Sequence, residues 1–239
     1  VTGAGQFWIP DIGLCDGIAA EYADDCRLFR FSHSFENDIL AAARNMAKRY
    51  KCHAGHNQML EQYALSIFDA ARKFHGMGAR ERLLLQIAVT LHGCGKFISI
   101  RNSNESSYNL IMSTEIIGLS HLEREIIANV VRYNIRDFDY DTIQLETQIG
   151  EDGSGNLNRS AITILIAKLT AILRLANSMD KTHKSKLADC RMAIREGELV
   201  ITTGYTGDLA LERASFEQKA DFFEEIFGIR PVLKQKRRA

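Results

Sequence analysis

The stretch ITILIAKLTAILRLA, inside the segment Arg159–Met179, is the most apolar run of helical spacing in the chain. A helix that is apolar around most of its circumference has no face to give to water, so other elements must enclose it. The segment therefore belongs at the centre of a helical bundle, and the sequence supplies the enclosing helices. Over 34–50, Phe35, Ile39, Leu40, Ala43, Met46 and Ala47 recur at helical spacing behind Ser34 as a cap. A second helix is predicted over 55–74, with Leu60, Tyr63, Ala64, Ile67, Phe68 and Ala71 on one face and Gly76 and Gly78 as stops. A third covers 79–92 through Leu83, Leu84, Ile87, Ala88 and Leu91. A fourth, over 121–134, opens on Ser120 and Glu123 at capping-box spacing ahead of Ile126, Ile127, Val130 and Val131.

After Lys186 the period changes from helical to alternating. MAIREGELVITTG reads as a hairpin around Glu196 and Gly197, followed by a helix over 215–227 with Phe216, Ala220, Phe223 and Phe227 facing inward, then a short strand around Val232 and the basic tail KQKRRA. Residues 136–157, with Gly150, Gly153, Ser154 and Gly155, read as an exposed loop, and 1–18 as a strand and turns leading into a helix. The expected fold class is mainly α, a helical bundle over 26–186 with a small α/β C-terminal appendage over 187–239. Residues 1–25 are read as the edge of something larger, the more so because the chain starts with Val1.

Thirty basic residues balance thirty acidic ones, so there is no global field to gather a polyanion, and any phosphate-rich ligand must meet a local cluster. Cys15, Cys26, Cys52, Cys94 and Cys190 form an odd, scattered set without CxxC spacing. That excludes a disulfide framework and a zinc knot, and suits a reducing, cytoplasmic setting. No stretch is read as approaching the roughly twenty apolar residues that span a bilayer. Cys94 is read as a small buried residue, because nothing places a base beside it.

The string LLLQIAVTLHGCGKFISIRN carries the most chemical information: a buried helix ends at His92 and runs into a turn of small residues, then Lys96 and Arg101. It resembles the heart of an HD domain, in which a helix ends in adjacent His and Asp, with a further His on an earlier helix and a last Asp on a later one. Such a set suits a divalent cation that activates water for phosphate-ester hydrolysis. The resemblance puts His56 on the earlier helix, His92 in the pair and Asp180 of LANSMDK last. Gly93 stands where the pair's aspartate belongs. Ser103, Ser106 and Asn134 stand at positions where the related phosphatases carry histidine. The metal motif is thus read as degenerate, with no metal assigned. Asp180 is then expected to serve as a helix-end or ion-pair residue, for instance with Lys184.

The ordered segments DIGLCDGI, HNQMLEQYALSIFDA, ERLLLQIAVTLHGCGKFIS, SSYNLIMSTEIIGLSHLEREIIANVVRYN, LRLANSMDKTHKSK and ALERASFEQKADFFEEIFGIRPVL resemble the C-terminal region of the exopolyphosphatase/guanosine-pentaphosphate phosphatase (Ppx/GppA) family over nearly the whole chain. The resemblance implies hydrolysis of terminal phosphates in actin-like lobes that precede this region, with a divalent metal, magnesium, in those lobes. It gives this region regulatory polyphosphate binding and dimerisation, with no catalytic residue and no cofactor of its own. The partners it implies are inorganic polyphosphate or guanosine pentaphosphate or tetraphosphate and a second copy of the chain, without membrane or DNA. A phosphate chain needs a groove of cations, and the candidates are Lys96, Arg101, Arg132, Arg136, Arg174, Lys181, Lys184 and Lys186. An autonomous metal-dependent HD phosphohydrolase using His56, His92 and Asp180, and an alarmone-sensing module, are the alternatives.

Overall fold

The computed structural model of the chain describes residues 14–26, 34–143, 145 and 159–236. The strand expected before residue 14, most of the loop over 136–157 and the last three residues of the basic tail lie outside them. Two compact units are formed, Val1–Phe35 and Glu36–Ala239. In the first, α1 covers Leu14–Asp25.

The second unit opens with α2 (Phe35–Arg49), α3 (Ala54–Ala70), a single turn α4 (Arg72–His75) and α5 (Ala79–Leu91). A 3-10 helix, Cys94–Phe97, leads into α6 (Ser103–Ser113), then α7 (His121–Arg132) and α8 (Arg159–Met179). Strands β1 (Arg191–Arg195) and β2 (Glu198–Thr203) are antiparallel, and β3 (Arg230–Gln235) returns parallel to β2 after α9 (Ala210–Phe227). The fold is mainly helical with a three-stranded sheet near the C-terminus, in the order β1-β2-β3.

Helix α8 lies in the core as its composition requires. Leu169, Ile172, Leu173 and Leu175 are fully buried, facing α3, α7 and α9. By length and apolarity α8 is also a candidate to cross a membrane, which the sequence reading missed, and 72% of its apolar window is buried inside the fold. Enclosure by neighbouring helices accounts for that apolarity. Fully buried Leu60, Tyr63 and Ile67 of α3, Leu85, Ile87 and Leu91 of α5, and Ile127 and Val130 of α7 complete the core. Truncating any of the buried leucines to alanine is expected to cost about 2–5 kcal/mol.

The capping box at α7 forms as read: Glu123 N–H donates to Ser120 Oγ at 3.2 Å, and Ser120 N–H donates to Glu123 Oε2 at 2.8 Å. The hairpin turns through Glu196 and Gly197 at φ 51° and 78°, a pair of left-handed residues that matches the strand twist. Helix α9 starts at Ala210, five residues earlier than its apolar pattern suggests, because Arg213 N–H already bonds the Leu209 carbonyl.

Helix α6 is not visible to apolar periodicity. Its inward stripe is Ser103, Ser107 and Ile111, two of them polar and small. That stripe packs on the 3-10 helix so closely that a Cβ on Gly95 would lie 2.0 Å from the Ser103 carbonyl oxygen. Gly95 is the only residue type that fits there, and its N–H donates to Ser107 Oγ at 2.8 Å. Of the appendage that the sequence divides from the bundle at residue 187, α9 packs along α8, and the sheet meets α3 through β1 and α9 through β3. Buried Glu212 of α9 accepts from Thr182 Oγ1 and, at 3.0 Å, from Lys186 Nζ.

Candidate functional site

The C-terminal ends of α2 and α5 and the first turn of α3 converge on the turn that follows α8. His56, His92 and Asp180, which come from three different elements, meet there. Asp180 is 1% exposed and both its oxygens are engaged: Oδ2 accepts from His56 Nδ1 at 2.7 Å and Oδ1 from Ser185 N–H at 2.8 Å. A carboxylate only accepts, so His56 carries its proton on Nδ1. Lys184 is exposed and is not among these partners.

Because Asp180 pins the turn 180–185, His183 is brought over the site, stacked on His56 at 3.9 Å between ring centroids. His92 meets His56 edge-on at 5.4 Å, and His53, the N-cap of α3, meets His183 at 5.7 Å. Sequence reasoning missed His53 and His183. The histidine in DKTHKSK stands three residues after Asp180, and that spacing was the available signal. Lys51, His183 and Ser185 all have left-handed backbones, φ 51–53°, a strained conformation concentrated around this site.

His92 Nδ1 lies 2.7 Å from the Val89 carbonyl and donates to it. Burial pushes the His92 imidazole down to about 4, with smaller contributions from His56, Lys96 and His183. His183 is lowered for the same reasons, burial first and then His56. Cys94 is fully buried and its thiol is pushed up to about 11 by burial, so it is inert packing.

These residues do not fit a divalent hydrolytic centre. Gly93 offers no ligand, both Asp180 oxygens already accept hydrogen bonds, and among the described residues no group of three or more His, Cys, Asp or Glu is placed to hold a metal. Ser103 is buried in the α6 contact, and Asn134 is buried with Oδ1 lacking a hydrogen-bond partner.

The eight candidate cations fall into three groups. Arg132 and Arg136 both bond Glu105, at 2.8 and 3.0 Å. Arg174 is buried, donating to the carbonyls of Tyr133 and Arg136 and lying 4.6 Å over the Phe222 ring. Lys186 is held by Glu212 and the Asp208 carbonyl. Arg101 and Lys184 are exposed outside any cavity described here. Lys96 and Lys181 line a cavity of about 380 Å³ together with Arg174, Lys219, His183 and Asp180, and Asn134, Asn177, Ser215 and Gln218 add neutral donors. Lys219, which the sequence reading did not select, is lowered by burial and by the facing Arg174 and Lys181. Among the described residues none of these three lysines has an ion-pair partner.

The model of Ppx/GppA phosphatase domain III matches residues 40–220. The chain belongs to the Ppx/GppA phosphatase family. That match runs from α2 through most of α9, so the cavity lies inside the Ppx/GppA region. No curated protein matches the chain.

Proposed function

We propose that this Ppx/GppA region is a non-catalytic polyanion-binding module whose ligand is an inorganic phosphate chain. The observation that carries the reading is the cavity bordered by Lys96, Arg174, Lys181 and Lys219, in which four cations meet one lining carboxylate, Asp180, with Asp137 acting on Lys219 from nearby. Both oxygens of Asp180 already accept hydrogen bonds, from His56 and from Ser185 N–H, and its single negative charge leaves the lining net positive. Excess positive charge held in a concavity is stable only at the cost of repulsion that a bound anion relieves. The lining offers no Phe, Tyr or Trp to stack a base, its one aromatic ring, His183, is already stacked on His56, and Ile135 is its sole large apolar residue, which favours an inorganic chain over guanosine pentaphosphate or tetraphosphate. The proposal includes a homodimer: Phe97, Ile98 and Ile100 are 54%, 60% and 86% exposed in one short run.

Titration with polyphosphate at two salt concentrations tests the reading. Binding is expected to weaken steeply with salt, and Lys181→Ala with Lys219→Ala to flatten the salt dependence by about one charge each. Unchanged binding in the double variant would sink it. So would stoichiometric Mn, Fe or Zn in purified protein that is lost on His92→Ala, since that result belongs to an autonomous HD phosphohydrolase.

A further inference from the structure

Beside the lysine cavity lies a second one of about 210 Å³, floored by buried His56 and His92 and rimmed by Lys51, His53, Lys96, Phe97 and His183. Its chemistry differs from that of a metal pocket in one respect that decides its sign: no Asp or Glu lines it. Lys51 leans over the Phe97 ring at 5.9 Å, and neither Lys51 nor Lys96 has an ion-pair partner among the described residues. The N-terminus of α3, seventeen residues long, opens on the same space and adds the positive end of its dipole.

The floor supplies directional chemistry. With Nδ1–H of His56 given to Asp180 and Nδ1–H of His92 given to Val89, the nitrogen that each ring has left for the cavity is Nε2, an acceptor in the neutral ring. A group that suits both features carries negative oxygens for Lys51 and Lys96 and one protonated oxygen to donate to a ring nitrogen. Monohydrogen phosphate is such a group. The space would hold several waters, at about 30 Å³ each in the liquid, and so accommodates one tetrahedral anion with part of its hydration. At Gly93 there is further room: an added Cβ would meet only Cys52 Sγ, at 4.0 Å, and the backbone there, φ −99°, accepts any residue.

We propose that this cavity, cationic because Gly93 contributes no carboxylate, binds a single orthophosphate between Lys51, Lys96 and the Nε2 atoms of His56 and His92. Lys96 and His183 border both cavities, so orthophosphate here and a phosphate chain in the neighbouring cavity draw on the same lysine and the same imidazole. The competition between them, a form of product control, rests on the polyphosphate reading; the orthophosphate site itself does not.

The test is calorimetric titration of the whole chain with inorganic phosphate, with the imidazole nitrogen resonances followed by NMR. Phosphate is expected to shift the Nε2 signals of His56 and His92. Gly93→Asp, which places a carboxylate in the cavity, is expected to weaken phosphate binding by more than about tenfold, equivalent to 1.4 kcal/mol, whereas the uncharged isostere Gly93→Asn changes it by less than about threefold. Lys96→Gln, at an exposed position that does not bear on folding, is expected to weaken it several-fold. Lys181→Ala with Lys219→Ala should leave orthophosphate binding intact while weakening polyphosphate, so the two readings fail separately. Equal losses in Gly93→Asp and Gly93→Asn, unmoved His56 and His92 signals, or tight stoichiometric uptake of Zn²⁺ or Mn²⁺ by the unmodified chain would each overturn the proposal.

Discussion

Two regions that flank the turn after α8 handle charge in opposite ways. On the α9 side, buried Glu212 is matched by Thr182 and Lys186, and although burial raises its carboxyl, those hydrogen bonds hold it below the usual range. On the α3 and α5 side, four histidines and Lys51 and Lys96 crowd a cavity with no lining carboxylate. The first arrangement joins α9 to α8; the second leaves positive charge and ring nitrogens without a protein partner. The same contrast separates two lysines five positions apart: Lys186 is ion-paired with Glu212, and Lys181 has no ion-pair partner among the described residues.

The largest expected effect comes from breaking the matched side. Glu212→Ala strands Lys186 and Thr182 and is expected to destabilise the fold by about 3 kcal/mol. That corresponds to a melting temperature lower by roughly 6–12 °C in thermal denaturation, with polyphosphate affinity unchanged. A loss of binding as large as the loss of stability would erase the distinction between the two regions.

Acid sharpens the comparison, because the two sides titrate in different windows. His92 sits at about 4 in the fold against 6.5 unfolded, so the unfolded chain takes up the proton first. Its contribution is complete above pH 6.5 and is lost as pH falls through about 4, a span of about 3 kcal/mol. His183 and His75, also lowered by burial, act in the same sense. Glu212, lowered from 4.5, loses its contribution only below that value. Melting temperature measured across pH should therefore fall in two stages, and His92→Gln should remove most of the first; a curve that stays flat from pH 7 to 5 in the unmodified chain would contradict the buried neutral floor.

Smaller effects are expected at the lysines of the neighbouring cavity. Lys181→Ala and Lys219→Ala, each removing a cation with no partner, should shift stability by no more than about 0.5 kcal/mol. Mutual repulsion makes a slight gain the expected sign, checked by chemical denaturation alongside the polyphosphate titration. The smallest change is at Glu105, whose pairing with Arg132 and Arg136 is largely exposed and worth under about 1 kcal/mol. Glu105→Gln should leave polyphosphate affinity within twofold. A clear gain in affinity would return Arg132 and Arg136 to the binding surface.

The elements with apolar periodicity were readable one by one: α8 to the residue, α7 with its capping box, and the hairpin with its turn. Helix α6 was not, because Ser103 and Ser107 make its buried stripe and its fit depends on the missing side chain of Gly95. The convergence of His56, His92 and Asp180 followed from the order of the motifs, whereas His53 and His183 entered the site through a helix cap and a strained turn that carry no periodic signal. Among the cations, residue type and proximity in sequence made Arg132, Arg136 and Lys186 look equivalent to Lys96, Arg174 and Lys181, which share a cavity, and Lys219 was passed over on a distant helix.

By itself the sequence determined that the chain is a helical bundle with a small sheet, and that a glycine interrupts the one motif suited to a metal. These are properties of spacing and side-chain type, which local physics reads directly. Only the tertiary structure decided which charges are matched, because pairing depends on what faces a side chain across helices far apart in sequence. It likewise decided that the space beside Gly93 is bordered by lysine and imidazole with no carboxylate.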